Sequence, residues 1–586
     1  VIEFKKLFEP GRVGTLSLKN RIVMAPMQTF SYEYDGTPNQ KTVNYFVARG
    51  NGGVGLIICP GGRAVPETRV PGTPNFYDDS FIPHFKKLSD AIQDTGAKVA
   101  FQINHTGKAL TYTIGEVEAI GPSPLRYVKT GMLLKEVTKK DIYRLIGKMA
   151  EAARRIRDAG FDMVEFHAAH GYLLGSFLSP YTNRRTDEYG GTAEKRARFL
   201  CEIIERTREK IGSEFPISIR LSGSEFLRGG TTIDDTIGNP EVAEQVLREE
   251  RADFVALGRP LLADPEWPNK VREGRIDELH RCICCNNCWE RIFTKSRQQG
   301  RLFCTVNPSL LREREFELKP CRVRKRVMVV GGGLAGMEAA RVAQWRGHEV
   351  KLFEKTDNLG GQWIIASAQP GKEIYRDLLK RLEQALFKSG VEIHLKEEVK
   401  PALVRKLTPD VLVMATGAFP QRLYLPGIER PNVVQAVDVI QGKAGLGKKI
   451  VVVGGRLIGM EVALYLAEQG KSVSLITARR LGENGKKLEE NLYRTLRDRL
   501  IDREVRIYAG CPLFEVREDG IFADDGGNLM FLEADTVVLA VGFLPRNEMV
   551  DEFKSIVPEF YLIGDCKEPR DGLEAMHEGA EVGRTF

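Results

Sequence analysis

From residue 20 to about 260, short apolar runs alternate with longer amphipathic stretches. The runs "RIVMAPM" (21–27), "VGLIICP" (54–60), "KVAFQIN" (98–104), "DMVEFHA" (162–168), "PISIRLS" (216–222) and "DFVALG" (253–258) predict strands. Between them, stretches such as "KKDIYRLIGKMAEAARRIRDAG" (139–160) repeat apolar residues at helical spacing, and Gly160 marks the end. Strands alternating with helices argue a parallel sheet, and this many in series predict a closed (β/α)8 TIM barrel over residues 1–279. Only six strands can be counted. Between "GGTTIDDT" and "IGNPEVAEQVL" the usual strand–helix–strand is absent, although a parallel connection needs about a dozen residues. A segment of roughly 40–70 residues, about two βα units, is therefore expected to be missing at Thr236–Ile237.

The texture changes after a charged linker, "LLREREFELKPCRVRK" (310–325). Two copies of one pattern follow, "RVMVVGGGLAGMEAARVAQWRGHEVKLFEK" (326–355) and "KIVVVGGRLIGMEVALYLAEQGKSVSLITA" (449–478). Each reads as strand, glycine turn, helix and strand, a dinucleotide-binding half-unit present twice. "DVLVMATGAFP" (410–420), "DTVVLAVGFLP" (535–545) and "YLIGDC" (561–566) each put a strand before a small-residue turn. The predicted class is α/β, with an N-terminal TIM barrel followed by two Rossmann-like domains.

Composition changes this picture little. At 586 residues the chain is too long for one core, and no apolar run approaches the ~20 residues that span a bilayer. The N-terminal stretch lacks a secretory h-region. The 86 basic and 79 acidic residues are interspersed, so the net charge of +7 reads as a solvated surface and implies no nucleic acid. Five of the ten cysteines crowd into His280–Cys304, "HRCICCNNCWERIFTKSRQQGRLFC", and the rest are scattered. That is the usage of a reducing, cytoplasmic compartment with one metal site. Large barrels often self-associate, so a homo-oligomer is an open expectation.

The glycine turns carry specific chemistry. Gly331, Gly333 and Gly336 make G-x-G-x-x-G directly after a strand and at a helix start, where a pyrophosphate can be met. Glu354 ends the next strand, placed to accept from ribose hydroxyls. The second copy keeps Gly454 and Gly459 but has Arg456 where close pyrophosphate approach usually requires glycine. Thr477 stands at the position of Glu354, followed by Arg479 and Arg480. Basic neighbours without the carboxylate favour a 2′-phosphate, hence NADPH over NADH, against the plainer reading of two solvated arginines.

At the C-terminal strand ends, where barrel chemistry sits, stand Met27 and Gln28, Gln102 to His105, His167, His170 and Tyr172, Arg220, and Gly258 with Arg259. Here resemblance becomes specific. "LKNRIVMAPM", "FQINHTGK", "GFDMVEFHAAHGYLLGSFLSPYTNRRTDEYGG" and "ALGRPLLADP" resemble the old yellow enzyme family of FMN barrels. The likeness implies that Ala25, Met27 and Gln102 hold the isoalloxazine, Arg220 its N1/O2 end, and Gly258 and Arg259 the FMN phosphate. His167 and His170 would donate to a substrate carbonyl, and Tyr172 would protonate the α-carbon. Residues from about 325 to 586 resemble the two-dinucleotide, glutathione-reductase-like flavoproteins. That implies FAD on the first copy, with Asp565 at its ribityl region, and NAD(P)H on the second.

A barrel flavoprotein joined to such a module through a cysteine segment resembles, over essentially the whole chain, the 2,4-dienoyl-CoA reductase and trimethylamine dehydrogenase group. The resemblance implies a 4Fe-4S cluster, a one-electron relay between flavins too far apart for direct hydride transfer. As in trimethylamine dehydrogenase, Cys282, Cys285, Cys288 and the distant Cys304 would hold it, leaving Cys284 out. A four-cysteine zinc site is the competing reading, and it would leave two redox modules with no evident wire. The implied domains are the barrel at 1–279, the cluster segment at 280–324, an FAD domain at 325–440 plus 541–586, and an NAD(P)H domain at 441–540. The implied activity is NAD(P)H-dependent reduction of a conjugated C=C, foremost in an enoyl-, dienoyl- or aryl-CoA thioester. Amine dehydrogenation is the alternative, disfavoured because Gln28 stands where those relatives attach FMN through cysteine. A non-catalytic electron-transfer scaffold would leave the His-His-Tyr set without purpose.

Overall fold

The computed structural model describes residues 3–107, 118–126, 133–222, 239–291, 300–369, 372–482 and 490–586. They divide into two compact units, Val1–Glu317 and Leu318–Phe586.

The first unit opens with an antiparallel hairpin, β1 (Gly11–Val13) and β2 (Leu16–Leu18). One parallel sheet follows, made of β3 (Ile22–Met24), β4 (Leu56–Arg63), β5 (Lys98–Asn104), β6 (Met163–Ala168), β7 (Ile217–Leu221) and β8 (Val255–Leu257). Its spatial order is β8-β3-β4-β5-β6-β7. Helices α1 (Gln40–Asn51), α2 (Ile82–Gln93), α3 (Lys139–Asp158) and α4 (Ala193–Ile211) connect successive strands from β3 to β7. This is TIM-barrel winding left open, because the last strand pairs with the first while β7 and β8 do not meet. The eight strands expected are six among the described residues, and the expected break at Thr236–Ile237 lies outside them. β7 is the end strand of this sheet among the described residues, and its Ile219 and Leu221 are exposed.

Alternation along the strands sorts side chains into two layers. Outward-facing residues such as Ile57, Val99, Phe101, Val164 and Phe166 pack under the helices. Inward-facing Val23, Leu56, Ile58, Ala100 and Met163 meet Leu16 and Leu18 of the hairpin, which plugs the barrel floor. The helices obey local rules. Thr138 accepts from the backbone N–H of Asp141, and the Asp141 carboxylate accepts in return from Thr138 at the start of α3. Gly160, at φ +81°, turns the chain after it.

The cysteine segment belongs to this first unit. Asn307 Nδ2 donates to the Leu262 carbonyl at 2.8 Å and Asn287 Nδ2 to Thr305 Oγ1 at 2.9 Å. Fully buried Arg49 stacks on Tyr45, 3.9 Å from the ring centre, and reaches Glu313 Oε1 at 2.5 Å.

The second unit holds two five-stranded parallel sheets. The first comprises β9 (Arg326–Val330), β10 (Glu349–Glu354), β11 (Glu392–Leu395), β12 (Val411–Met414) and a last strand, Glu559–Leu562. The second comprises β13 (Val433–Gln435), β14 (Lys449–Val453), β15 (Ser472–Thr477), β16 (Arg506–Ala509) and β17 (Thr536–Leu539). Helix α5 (Leu334–Trp345) follows β9 and α6 (Leu457–Glu468) follows β14, so both copies fold as strand, turn, helix and strand.

Candidate functional site

Above the apolar floor, the inward positions of the barrel turn polar. Gln102 on β5 lies opposite Glu165 on β6, and His167 lies opposite Arg220 on β7. Gln102 Nε2 donates to Glu165 Oε1 at 2.7 Å, and Arg220 Nε donates to the same oxygen at 3.1 Å. A buried carboxylate thus fixes two of the residues expected at the flavin. Glu165 itself was not singled out from the sequence. Its signal is the period-2 spacing that puts it on the face of His167 in "DMVEFHA".

His167, His170 and Tyr172 come together where β6 ends. His170, at φ +56°, and Gly171 turn the chain back. His167 then packs edge-on to both neighbours, 5.0 Å from the His170 ring centre and 4.8 Å from that of Tyr172. The Ala169 N–H donates to His167 Nδ1 at 3.4 Å, which places the imidazole proton on Nε2, 3.3 Å from His170 Nδ1. Burial first, then His170, Arg220 and Arg63, hold the His167 pKa at about 3. Burial and then Arg220 also lower His170. His105 at the end of β5 is held at about 3 by burial, then Arg63 and Arg144. At neutral pH the mouth therefore carries neutral imidazoles, which donate hydrogen bonds without adding charge.

On the other side of the mouth, Ala25, Met27 and Gly258 converge. A Cβ on Gly258 would lie 3.4 Å from Met27 Sδ and 4.0 Å from Ala25 Cβ. Arg259 is exposed, and its Nη1 lies 3.3 Å from Asn286 Oδ1 in the cysteine segment. An exposed guanidinium beside these small and apolar residues suits a flavin phosphate.

The cysteines lie close together in part. Burial first, then Cys285 and Cys288, push the Cys304 thiol up to about 12. Cys282 is raised foremost by its hydrogen bond with Cys284, and feels Cys304 as well. Cys284 itself, at φ +52°, is exposed. Among the described residues no group of three or more His, Cys, Asp or Glu side chains forms a metal-holding array.

In the second unit the glycine turns are built as cradles. A Cβ on Gly331 would lie 2.2 Å from the Ala415 carbonyl oxygen, and one on Gly336 1.9 Å from that of Gly331. A Cβ on Gly333 meets nothing within 4 Å, so open space faces the start of α5. Glu354 accepts from the N–H of Gly332 at 2.8 Å and from that of Thr356 at 2.9 Å. Asp565 sits in a short turn and accepts from the Arg570 N–H at 3.1 Å, and burial raises its carboxyl. The second copy repeats the geometry. Cβ atoms on Gly454 and Gly459 would lie 2.3 Å and 1.7 Å from backbone carbonyl oxygens, and a Cβ on Gly455 would lie 2.7 Å from Thr477 Cβ. Arg456, Arg479 and Arg480 are all exposed at this turn.

Taken together, an FMN-type barrel mouth and two dinucleotide cradles define a two-module flavin oxidoreductase. Residues 6–240 match the NADH:flavin oxidoreductase / NADH oxidase family, and residues 325–581 match the pyridine nucleotide-disulphide oxidoreductase family. An NADH oxidase from Thermoanaerobacter brockii is 37% identical, covering 99% of each chain. That alignment runs over 656 positions, so at least 70 of them have no counterpart among the 586 residues here. A cinnamate reductase from Clostridium sporogenes is 29% identical over 100% of both chains. The solved 2-naphthoyl-CoA reductase, in complex with 2-naphthoyl-CoA, is similar with a TM-score of 0.92 and 28% identity, again covering 100% of both chains. The chain belongs to the NADH:flavin oxidoreductase / NADH oxidase family, within the two-module group of 2,4-dienoyl-CoA reductase and trimethylamine dehydrogenase.

Proposed function

We propose that the protein is an NAD(P)H-dependent ene-reductase that saturates a C=C bond conjugated to a carboxylic acid or its CoA thioester. The observation that carries this is the His167–His170–Tyr172 cluster. Two neutral imidazoles 3.3 Å apart offer N–H donors to one carbonyl oxygen, and that draws electron density from the conjugated alkene. Tyr172, against His167, would give its phenolic proton to the α-carbon as general acid. The cinnamate and 2-naphthoyl-CoA relatives support the free acid and the thioester respectively.

Ala25, Met27, Gln102, Arg220, Gly258 and Arg259 would hold FMN. Gly331, Gly333, Gly336, Glu354 and Asp565 would hold FAD, and Gly454, Gly459, Arg479 and Arg480 the pyridine nucleotide, NADPH ahead of NADH. Cys282, Cys285, Cys288 and Cys304 would hold a 4Fe-4S cluster. Bound, these groups would supply reducing equivalents in the order NAD(P)H, FAD, cluster, FMN, ending in hydride at the β-carbon. Among the described residues no helix is long and apolar enough to cross a membrane.

The test is anaerobic NAD(P)H oxidation by the holoenzyme with enoates, enoyl- and aryl-CoA thioesters and methylated amines. Alkene-dependent oxidation with a saturated product is expected. Amine oxidation instead, or nucleotide oxidation indifferent to every alkene, would overturn the reading.

A further inference from the structure

Arg63, the last residue of β4, has no part in the roles above, yet it is a cation with only 6% of its surface exposed. Backbone alternation sets its direction. Past the irregularity between Cys59 and Gly62, a Cβ on Gly61 would lie 2.8 Å from Asn104 Cβ and 3.1 Å from Gln102 Oε1, on the inner face. One on Gly62 would lie 2.7 Å from the Phe101 ring, on the outer face. Arg63 follows, inward again and opposite Asn104.

There its Nε and Nη1 are buried with no hydrogen-bond partner among the described residues. Glu165, on the same inner face, is engaged by Gln102 and Arg220. What it does face is the reacting cluster. Its charge helps to lower both His105 and His167, and the Tyr172 phenol is the group that favours its charged form. A desolvated guanidinium without a counter-ion is a costly arrangement. It is retained where a ligand brings the missing anion, and here that anion must sit beside the proton donor for a conjugated alkene.

We propose that Arg63 anchors the carboxylate of the substrate, and that the substrate is accordingly a free α,β-unsaturated acid with its –COO⁻ intact. This rests on the ene-reductase reading and chooses within it. An ionised carboxylate withdraws electrons poorly from an adjacent alkene. Charge-assisted hydrogen bonds from Arg63, added to the imidazole donors, offset its negative charge and make the β-carbon a better hydride acceptor. A thioester carbonyl would leave the guanidinium without its counter-charge.

The experiment compares (E)-cinnamate, methyl cinnamate and cinnamoyl-CoA as electron acceptors for the anaerobic holoenzyme, in wild type, Arg63→Met and Arg63→Lys. Binding of saturated 3-phenylpropanoate is followed in parallel through the flavin spectrum, without turnover. Wild type should prefer the free acid. Arg63→Met should lower its kcat/KM roughly 100-fold and weaken 3-phenylpropanoate comparably, with Lys restoring part. FMN content and turnover of the neutral ester should change less than about 3-fold. If wild type reduces alkenes but favours the thioester, or Arg63→Met affects acid and ester equally or sheds FMN, the anchor is wrong and the ene-reductase reading stands. If no alkene is reduced, the wider reading falls, and spectral binding of 3-phenylpropanoate that ignores Arg63 takes the anchor with it.

Discussion

Tyr172 tests the chemistry most directly at the scale of single residues. Tyr172→Phe removes one oxygen and leaves the ring that packs on His167, so packing survives while proton donation is lost. Alkene reduction should fall on the order of 10²- to 10⁴-fold, while stopped-flow reduction of FAD by NAD(P)H keeps its rate. Equal loss in both half-reactions would remove Tyr172 from the chemistry. The buried histidines make a second prediction. His105 and His167 stay neutral down to about pH 3 in the folded protein, whereas the unfolded chain takes up protons near pH 6.5. Below that value the unfolded state binds more protons, so stability falls as pH drops through the window from 6.5 to 3. The slope is up to about 1.4 kcal/mol per pH unit for each histidine. Thermal unfolding of the barrel should shift downward over this range, and His105→Gln should flatten the dependence. A midpoint unchanged between pH 6.5 and 4.5 would contradict it.

Elements decide which residues can be changed and which cannot. The α5 and α6 turns bring backbone to within 1.9 Å and 1.7 Å of where a Cβ would stand on Gly336 and Gly459, and a carbonyl oxygen cannot give way as a flexible side chain does. Gly336→Ala should release FAD from the purified protein. Gly459→Ala should retain FAD but raise the KM for pyridine nucleotide by at least about tenfold, a loss of some 1.4 kcal/mol. Flavin content and steady-state kinetics check both, and loss of FAD in Gly459→Ala would merge the two assignments. Strand β4 makes the same point differently. Its apolar run "VGLIICP" predicts an end at residue 60, but the irregularity at Cys59–Gly62 carries pairing on to Arg63. That extension turns an arginine from a loop residue into an inward-facing one.

For the whole molecule the prediction concerns the cysteines, because the proposed electron path runs from one module to the other through them. Cys285→Ser should lose iron and alkene reduction together while reduction of FAD by NAD(P)H persists, and Cys284→Ser should keep all three. Iron retained in Cys285→Ser and lost in Cys284→Ser would mean a different four ligands. Among the described residues the barrel is open between β7 and β8. The alignment with the NADH oxidase holds at least 70 positions without a counterpart here, and the two βα units expected between β7 and β8 fall outside the described residues.

Sequence by itself determined the order of strands, the two glycine turns and the His167-x2-His170-x-Tyr172 spacing, because these rest on local periodicity and on contacts within a few residues. Only the tertiary structure decided that Glu165 holds Gln102 and Arg220 together, since those partners lie 63 and 55 residues away. Only it showed Arg63 buried with no partner among the described residues, because direction along a strand depends on one irregular residue, and desolvation depends on what the other strands place around it.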